Sequence, residues 1–126
     1  MQDVLKKLHF KNGGVVLNGP SSLTAEFEKA GLKSTLGKNA SSVSTLVFIN
    51  NEQEYRSFLN NQSKQIEPDS LLWFAYPKGS SKLRSDINRD SLRMIGEEFG
   101  ITTVTAVSIN DTWSALRFRP VDRVGK

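Results

Sequence analysis

A chain of 126 residues, 37% hydrophobic and 24% charged, fits one globular domain spanning residues 1–126 with enough apolar side chains for a core. No apolar run approaches the roughly 20 residues of a bilayer span, and without cysteine there is no disulfide, thiolate nucleophile or thiolate-bound metal. The net charge of +4 divides as eight basic against seven acidic residues in 1–77 and nine against six in 78–126. That is too even for the basic stripe of a nucleic-acid binder, so nucleic acid is not an expected partner.

The N-terminus, Met1-Gln2-Asp3-Val4-Leu5-Lys6-Lys7, lacks the basic-then-apolar order of a secretory signal. Together with the missing cysteines this points to a cytoplasmic setting and away from the membrane. Val4, Leu5 and Leu8 predict a short apolar helix. Gly14-Val15-Val16-Leu17 reads as a strand that meets a breaker, Asn18-Gly19-Pro20. Leu23, Phe27 and Ala30 then fall at helical spacing, with Ser21 or Ser22 as the expected cap and Gly31 in the left-handed position after the end. Lys33 to Ser42 reads as an exposed loop.

Ser44 to Ile49 is a continuous apolar run, the pattern of a strand covered on both faces. Asn51 and Glu54 have capping-box spacing before a helix whose apolar stripe is Tyr55, Phe58 and Leu59. Pro68-Asp69 is expected to break the chain before a second all-apolar strand, Leu71 to Ala75. After a loop from Tyr76 to Ile87, Asn88 or Asp90 begins a helix with Leu92, Ile95 and Phe99 on its buried face, ended by Gly100. Thr103–Ile109 and Thr112–Arg119 predict two further strands joined by a two-residue turn, Asn110-Asp111. Strands separated by helices imply parallel pairing. The expected fold is α/β, in two or three layers: a mainly parallel five-stranded sheet, β-α-β-α-β-α-β-β, closed by a C-terminal antiparallel hairpin.

In such sheets ligands usually sit outside the carboxyl ends of the strands. Two loops there are similar in composition: Asn18-Gly19-Pro20-Ser21-Ser22, and Pro77-Lys78-Gly79-Ser80-Ser81-Lys82-Leu83-Arg84. Small residues let backbone N–H groups approach a ligand, hydroxyls add hydrogen bonds, and a helix start carries partial positive charge. Asn18, Gly19, Ser21, Ser22, Lys78, Ser80, Ser81, Lys82 and Arg84 are thus candidates to hold a phosphate or carboxylate. The plainer alternative is a cap and a solvated turn, since neither loop matches a P-loop or a dinucleotide fingerprint. On the last strand, alternation puts Trp113, Ala115, Arg117 and Arg119 on one face and Ser114, Leu116 and Phe118 on the other. Trp113, Arg117 and Arg119 can stack on a base or grip an anion, or the tryptophan is core and the arginines drape over the sheet rim.

Catalytic groups are few. His9 is the only histidine and reads as a surface or packing residue. Zinc would have only His9 and carboxylates as ligands, so no metal is expected, and no cofactor either. No nucleophile-elbow motif is present. Asp86 and Asp90 are placed to stabilise a helix start, and Asp111 to form a turn.

Leu71-Leu72-Trp73-Phe74-Ala75-Tyr76-Pro77-Lys78 and Asp111-Thr112-Trp113-Ser114-Ala115-Leu116-Arg117-Phe118-Arg119-Pro120 resemble the two signatures of a small bacterial family of uncharacterised proteins. Asn88-Arg89-Asp90 and Leu8-His9-Phe10-Lys11-Asn12-Gly13, leading to a strand that ends near Asn18 and Pro20, extend the resemblance over nearly the whole chain. It implies kinship and carries no activity. A looser likeness is to the back half of Rossmann-like methyltransferases, and it implies that the strand at 112–119 inserts between those at 71–75 and 103–109. The cofactor half departs from that pattern: Asn18-Gly19-Pro20 stands where a glycine-rich motif would be, and no acidic residue follows a second strand to hold a ribose.

The expected function is a non-catalytic module that binds a small anionic ligand or a protein partner at the carboxyl edge of the sheet. The alternatives are a degenerate S-adenosylmethionine-dependent methyltransferase-like enzyme, and an interaction protein that forms homo-oligomers through unequally covered sheet faces.

Overall fold

The computed structural model describes residues 2–10, 14–34, 42–61, 66–78 and 86–123. The elements in chain order are α1 (Gln2–Leu8), β1 (Val15–Leu17), α2 (Ser21–Lys29), β2 (Ser42–Phe48), α3 (Glu52–Asn61), β3 (Ile66–Pro77), α4 (Arg89–Glu98), β4 (Ile101–Ser108), β5 (Trp113–Pro120) and a 3₁₀ turn, Val121–Arg123. Among the described residues no helix is long and apolar enough to cross a membrane.

The apolar runs bury both faces of the sheet, and the side-chain period of two sorts them into separate cores. Val15, Leu17, Val47, Ile49, Leu72, Phe74, Leu116 and Phe118 pack with Tyr55, Phe58 and Leu59 of α3 and with Leu92 and Ile95 of α4. Val16, Leu46, Phe48, Trp73, Ala75, Trp113 and Ala115 pack on the other side, with Leu5 and Leu8 of α1 and Phe27 of α2. The molecule is therefore three-layered, α/β/α.

The five strands lie in the order β1-β2-β3-β5-β4. β1, β2 and β3 pair in parallel, and β5 is antiparallel to both β3 and β4. β4 consequently points the same way as β1–β3, and β5 alone runs against them. β5 does insert between β3 and β4, as the likeness to methyltransferases implied. α1 is fastened to this sheet by the Trp73 indole, whose Nε1–H donates to the carbonyl of Leu8 at 3.1 Å.

Several local expectations change. Pro68 and Asp69 lie inside β3. The β2–β3 register slips there, Ser42 pairing with Ile66 and Ser44 with Leu71, so the proline falls where the ladder needs no donor. Neither Ser21 nor Ser22 caps α2: the N-cap is Pro20, which makes no side-chain cap hydrogen bond. Phe99 is 36% exposed because it is the C-cap of α4, past the last buried turn, and Gly96 takes its place on the buried face. α4 begins with a capping box, Ser91 N–H donating to Asn88 Oδ1 and Asn88 N–H to Ser91 Oγ. Asp86 serves a different helix, accepting from Glu52 N–H of α3 at 2.8 Å. The β4–β5 turn is longer than Asn110-Asp111, since Asn110 Oδ1 accepts from both Thr112 N–H and Trp113 N–H.

His9 ends α1 in a left-handed conformation (φ 63°). His9 N–H bonds the Lys6 carbonyl and Phe10 N–H that of Leu5, the paired bonds of a Schellman cap. Gly31 (φ 97°) ends α2 in the same way.

α3 and α4 meet through Tyr55. Its hydroxyl is buried and donates to the Leu92 carbonyl at 2.9 Å, while its ring stands edge-on to Phe74 at 4.9 Å. Gly96 makes this approach possible, because a Cβ there would lie 2.9 Å from the Tyr55 oxygen and 3.0 Å from the Phe118 ring. Gly96→Ala is therefore expected to destabilise the fold by about 1–3 kcal/mol in urea denaturation, despite the better helix propensity of alanine. An unchanged or raised midpoint would contradict the close packing. Burial holds the Tyr55 phenol above its ordinary pKa of 10.0, and burial raises Tyr76 in the same direction against the opposing charge of Arg89. The unfolded chain ionises first, so this stability is intact below about pH 10 and lost as the pH rises above it. Tyr55→Phe should flatten the fall of the denaturation midpoint between pH 9 and 11, and an unaltered slope would exclude Tyr55 as a cause.

Candidate functional site

The chain changes face between β1 and β2. After α2, Leu32 to Ser34 returns along the outer side of β1, where Val16 N–H donates to the Lys33 carbonyl at 2.8 Å and Lys33 N–H to that of Gly14 at 2.9 Å. This isolated parallel bridge, Val15 with Lys33, replaces the loop expected to begin at Lys33. The excursion through α2 thus leads away from β2, whereas the one through α3 leads from β2 on to β3. Crossovers of one hand running in opposite directions put their helices on opposite faces, and α2 and α3 do lie on opposite faces. The β1/β2 junction is a topological switch point, where the carboxyl ends of neighbouring strands diverge into a crevice.

A cavity of about 870 Å³ lies there. Asn18 and Gly19 line it from the end of β1, Asn50 and Asn51 from the end of β2, and Gln53, Glu54, Ser57, Phe58 and Asn61 from α3. The α3 positions recur every three or four residues, so they form one stripe of the helix. Five of these side chains are amides and one is a carboxylate, with no lysine or arginine among them.

The backbone around the cavity is closely determined. Asn18 is left-handed (φ 60°), a conformation asparagine accepts more readily than most residues. A Cβ on Gly19 would lie 2.8 Å from Thr24 Oγ1 and 3.4 Å from the Phe48 ring. Glu54 N–H donates to Asn51 Oδ1, and the Glu54 carboxylate accepts from Asn50 N–H and Asn50 Nδ2. The capping box expected of Asn51 and Glu54 therefore closes onto Asn50. Because Asp86 also occupies the Glu52 N–H, the positive end of α3 is already met by protein acceptors.

Of the residues singled out in the sequence, Asn18 and Gly19 line the cavity. Ser21 and Ser22 are exposed on the first turn of α2. Lys78 turns away from them: its Nζ donates to Ser108 Oγ at 2.7 Å, over β5 and towards β4. Lys7, which the sequence did not single out, donates to the Ser108 carbonyl at 3.3 Å. With strands about 4.8 Å apart, this basic end lies about 19 Å across the sheet from β1. Ser80, Ser81, Lys82 and Arg84 fall outside the described residues. Trp113 is a core side chain, 5% exposed and edge-on to Phe48 at 5.0 Å. Arg117 and Arg119 are half-buried further along β5, and the buried Arg117 Nε has no hydrogen-bond partner among the described residues. The amides of α3 were missed, although the run Asn50-Asn51-Glu52-Gln53 ahead of Asn60-Asn61 was a compositional signal.

No family model and no curated protein matches the chain. Among solved structures it is similar to the crystal structure of a SAM-dependent methyltransferase from Aquifex aeolicus, with a TM-score of 0.55 over 93% of this chain and 87% of that one. Identity is 14%, so the likeness is one of fold.

Gly19→Ala is expected to cost about 1–2 kcal/mol of stability by driving into the Thr24 hydroxyl. Thr24→Ala removes that obstacle, so the double variant should recover most of the loss in urea titrations. Strictly additive effects would show that Gly19 is not confined by Thr24.

Proposed function

We propose that this protein is a binding module that takes a small polar molecule, rich in hydroxyl or N–H groups, into the crevice between β1 and β2. The observation that supports the reading is the coincidence of an amide-lined cavity of about 870 Å³ with the switch point of the sheet, where open α/β folds bind ligands. Side-chain amides donate and accept at once, which suits neutral hydroxylated groups. An anion would meet the Glu54 carboxylate and none of the described basic side chains, so the phosphate or carboxylate expected from the sequence is not the group assigned to this crevice.

The second reading, a methyltransferase-like enzyme, is favoured only by the fold of the structural neighbour, and fold does not carry function. S-Adenosylmethionine does not fit the residues present. The chain has no acidic residue between Glu28 and Glu52, so Ser34, not a carboxylate, follows the Lys33 bridge where a ribose would be held. No methyl-transfer step is assigned.

Titration with adenosine, ribose and inorganic phosphate, followed by amide chemical shifts, tests the proposal. Adenosine or ribose is expected to move residues 18–19, 50–54, 57 and 61, and phosphate to leave them still. Gln53→Ala should weaken that binding about fivefold, the equivalent of one hydrogen bond of ~1 kcal/mol, without lowering the denaturation midpoint. Phosphate-induced shifts in the crevice would restore the anionic reading, and silence from every probe would count against a ligand of this class.

A further inference from the structure

We infer that Glu54 selects the occupant of the crevice, and that this occupant is an uncharged cyclic polyol whose adjacent hydroxyls donate to the open oxygen of the Glu54 carboxylate. The inference rests on the reading of the crevice as a site for a small polar molecule. It names the class of that molecule and the residue that chooses it.

The two carboxylate oxygens of Glu54 are in different states. Oε1 accepts from Asn50 N–H at 3.0 Å and from Asn50 Nδ2 at 3.1 Å, which occupies both of its lone pairs. Oε2 is met among the described residues only by Asn50 Nδ2 at 3.5 Å. That distance is at the outer limit of a hydrogen bond, from a group already bonded to Oε1. Glu54 has no ion pair among the described residues either. An ionised carboxylate has no hydrogen to give. Whatever meets Oε2 must therefore donate, and a bond to a charged acceptor is stronger than one between neutral groups.

The groups beside it ask for the opposite. Asn51 Oδ1 is taken by Glu54 N–H at 2.9 Å, which leaves the Asn51 NH2 to donate. Ser57 Oγ accepts from Asn61 Nδ2 at 3.2 Å, which leaves the Ser57 hydrogen to donate. Ser57 is also a surface neighbour of Glu54, three residues on along α3. The crevice therefore sets one charged acceptor among donors. A hydroxyl satisfies both, donating to Oε2 while accepting from Asn51 or Ser57. An ammonium has no lone pair with which to accept, and a carboxylate or dianionic phosphate has no proton for Oε2. The two lone pairs of Oε2 take two donors, and hydroxyls on adjacent ring carbons bring two to one point. Phe58 lines the cavity about one helical turn beyond Glu54, so the C–H groups of such a ring find an apolar contact beside its hydroxyls.

Methyl β-D-ribopyranoside, its 3-deoxy analogue and ethylamine, each titrated against the full chain and against Glu54→Gln with amide shifts as the readout, test the inference. The deoxy sugar keeps two hydroxyls but no adjacent pair. The parent sugar is expected to move residues 50–54 and 57 and to bind at least about tenfold more tightly than the deoxy sugar. Glu54→Gln keeps an oxygen for Asn50 N–H, so its circular dichroism and denaturation midpoint should match those of the unaltered chain. It puts an NH2 in the place of Oε2. The variant should therefore hold the two sugars equally, with the affinity for the deoxy sugar unchanged. Equal binding of the two sugars by the unaltered chain overturns the inference and leaves the crevice a polar site. So does a preference that Glu54→Gln retains, or tighter binding of ethylamine than of the sugar. If neither sugar moves the crevice, the reading on which the inference rests falls with it.

Discussion

The two hydrogen bonds that tie Lys33 to Gly14 and Val16 fix the direction in which the chain winds. They bring the end of α2 back along the outer side of β1, so β2 has to be laid down on the other side. From there α3 covers the opposite face of the sheet. Both faces of β1, β2 and β3 then need apolar side chains, which is why Val15 and Leu17 serve one core while Val16 serves the other. The diverging helices also leave room above the ends of β1 and β2, and the cavity is that room. Layering, burial and site position share this origin.

Much of this fold is legible in the sequence because its strands are buried on both sides. Continuous apolar runs such as Leu46 to Ile49 and Leu71 to Ala75 have few alternatives to an interior strand. The glycines that end helices are as readable, Gly31 and Gly100 both taking the left-handed conformation that their position after a helix suggests. The misread points are those where tertiary context decides. Pro68 is tolerated in β3 only because the ladder with β2 slips beside it, and the return past Lys33 is a single bridge without a strand's worth of pattern. The bound placed on Phe99 followed helical spacing, which persists for one more residue than the helix itself.

The candidate site was half legible. A polar breaker after an apolar strand identifies Asn18 and Gly19 without knowledge of their neighbours. The remaining lining comes from Asn50 and Asn51 after β2 and from one stripe of α3, whose polar residues read equally well as a solvated helix face, with Asn51 and Glu54 as its cap. Only the placement of α3 over the switch point distinguishes these. Lys78 shows the converse. Its position at the end of β3 is as expected, but its direction follows from Ser108, a partner 30 residues away that becomes adjacent only because β5 inserts between β3 and β4. Among the described residues, the carboxyl edge thus divides into a crevice over β1 and β2 lined by no lysine or arginine and a basic end over β4.

That division bears on what the molecule recognises. On the proposed reading, neutral polar ligands and anions go to different ends of one edge. Crystals soaked separately with ribose and with phosphate locate the two chemistries directly. Ribose density between Gly19 and Asn51, within reach of Gln53 and Asn61, is the expected result, with phosphate confined to the neighbourhood of Lys7, Lys78 and Ser108. Phosphate between Gly19 and Asn51, or ribose only at the basic end, contradicts the assignment of the switch-point crevice to a neutral polar ligand.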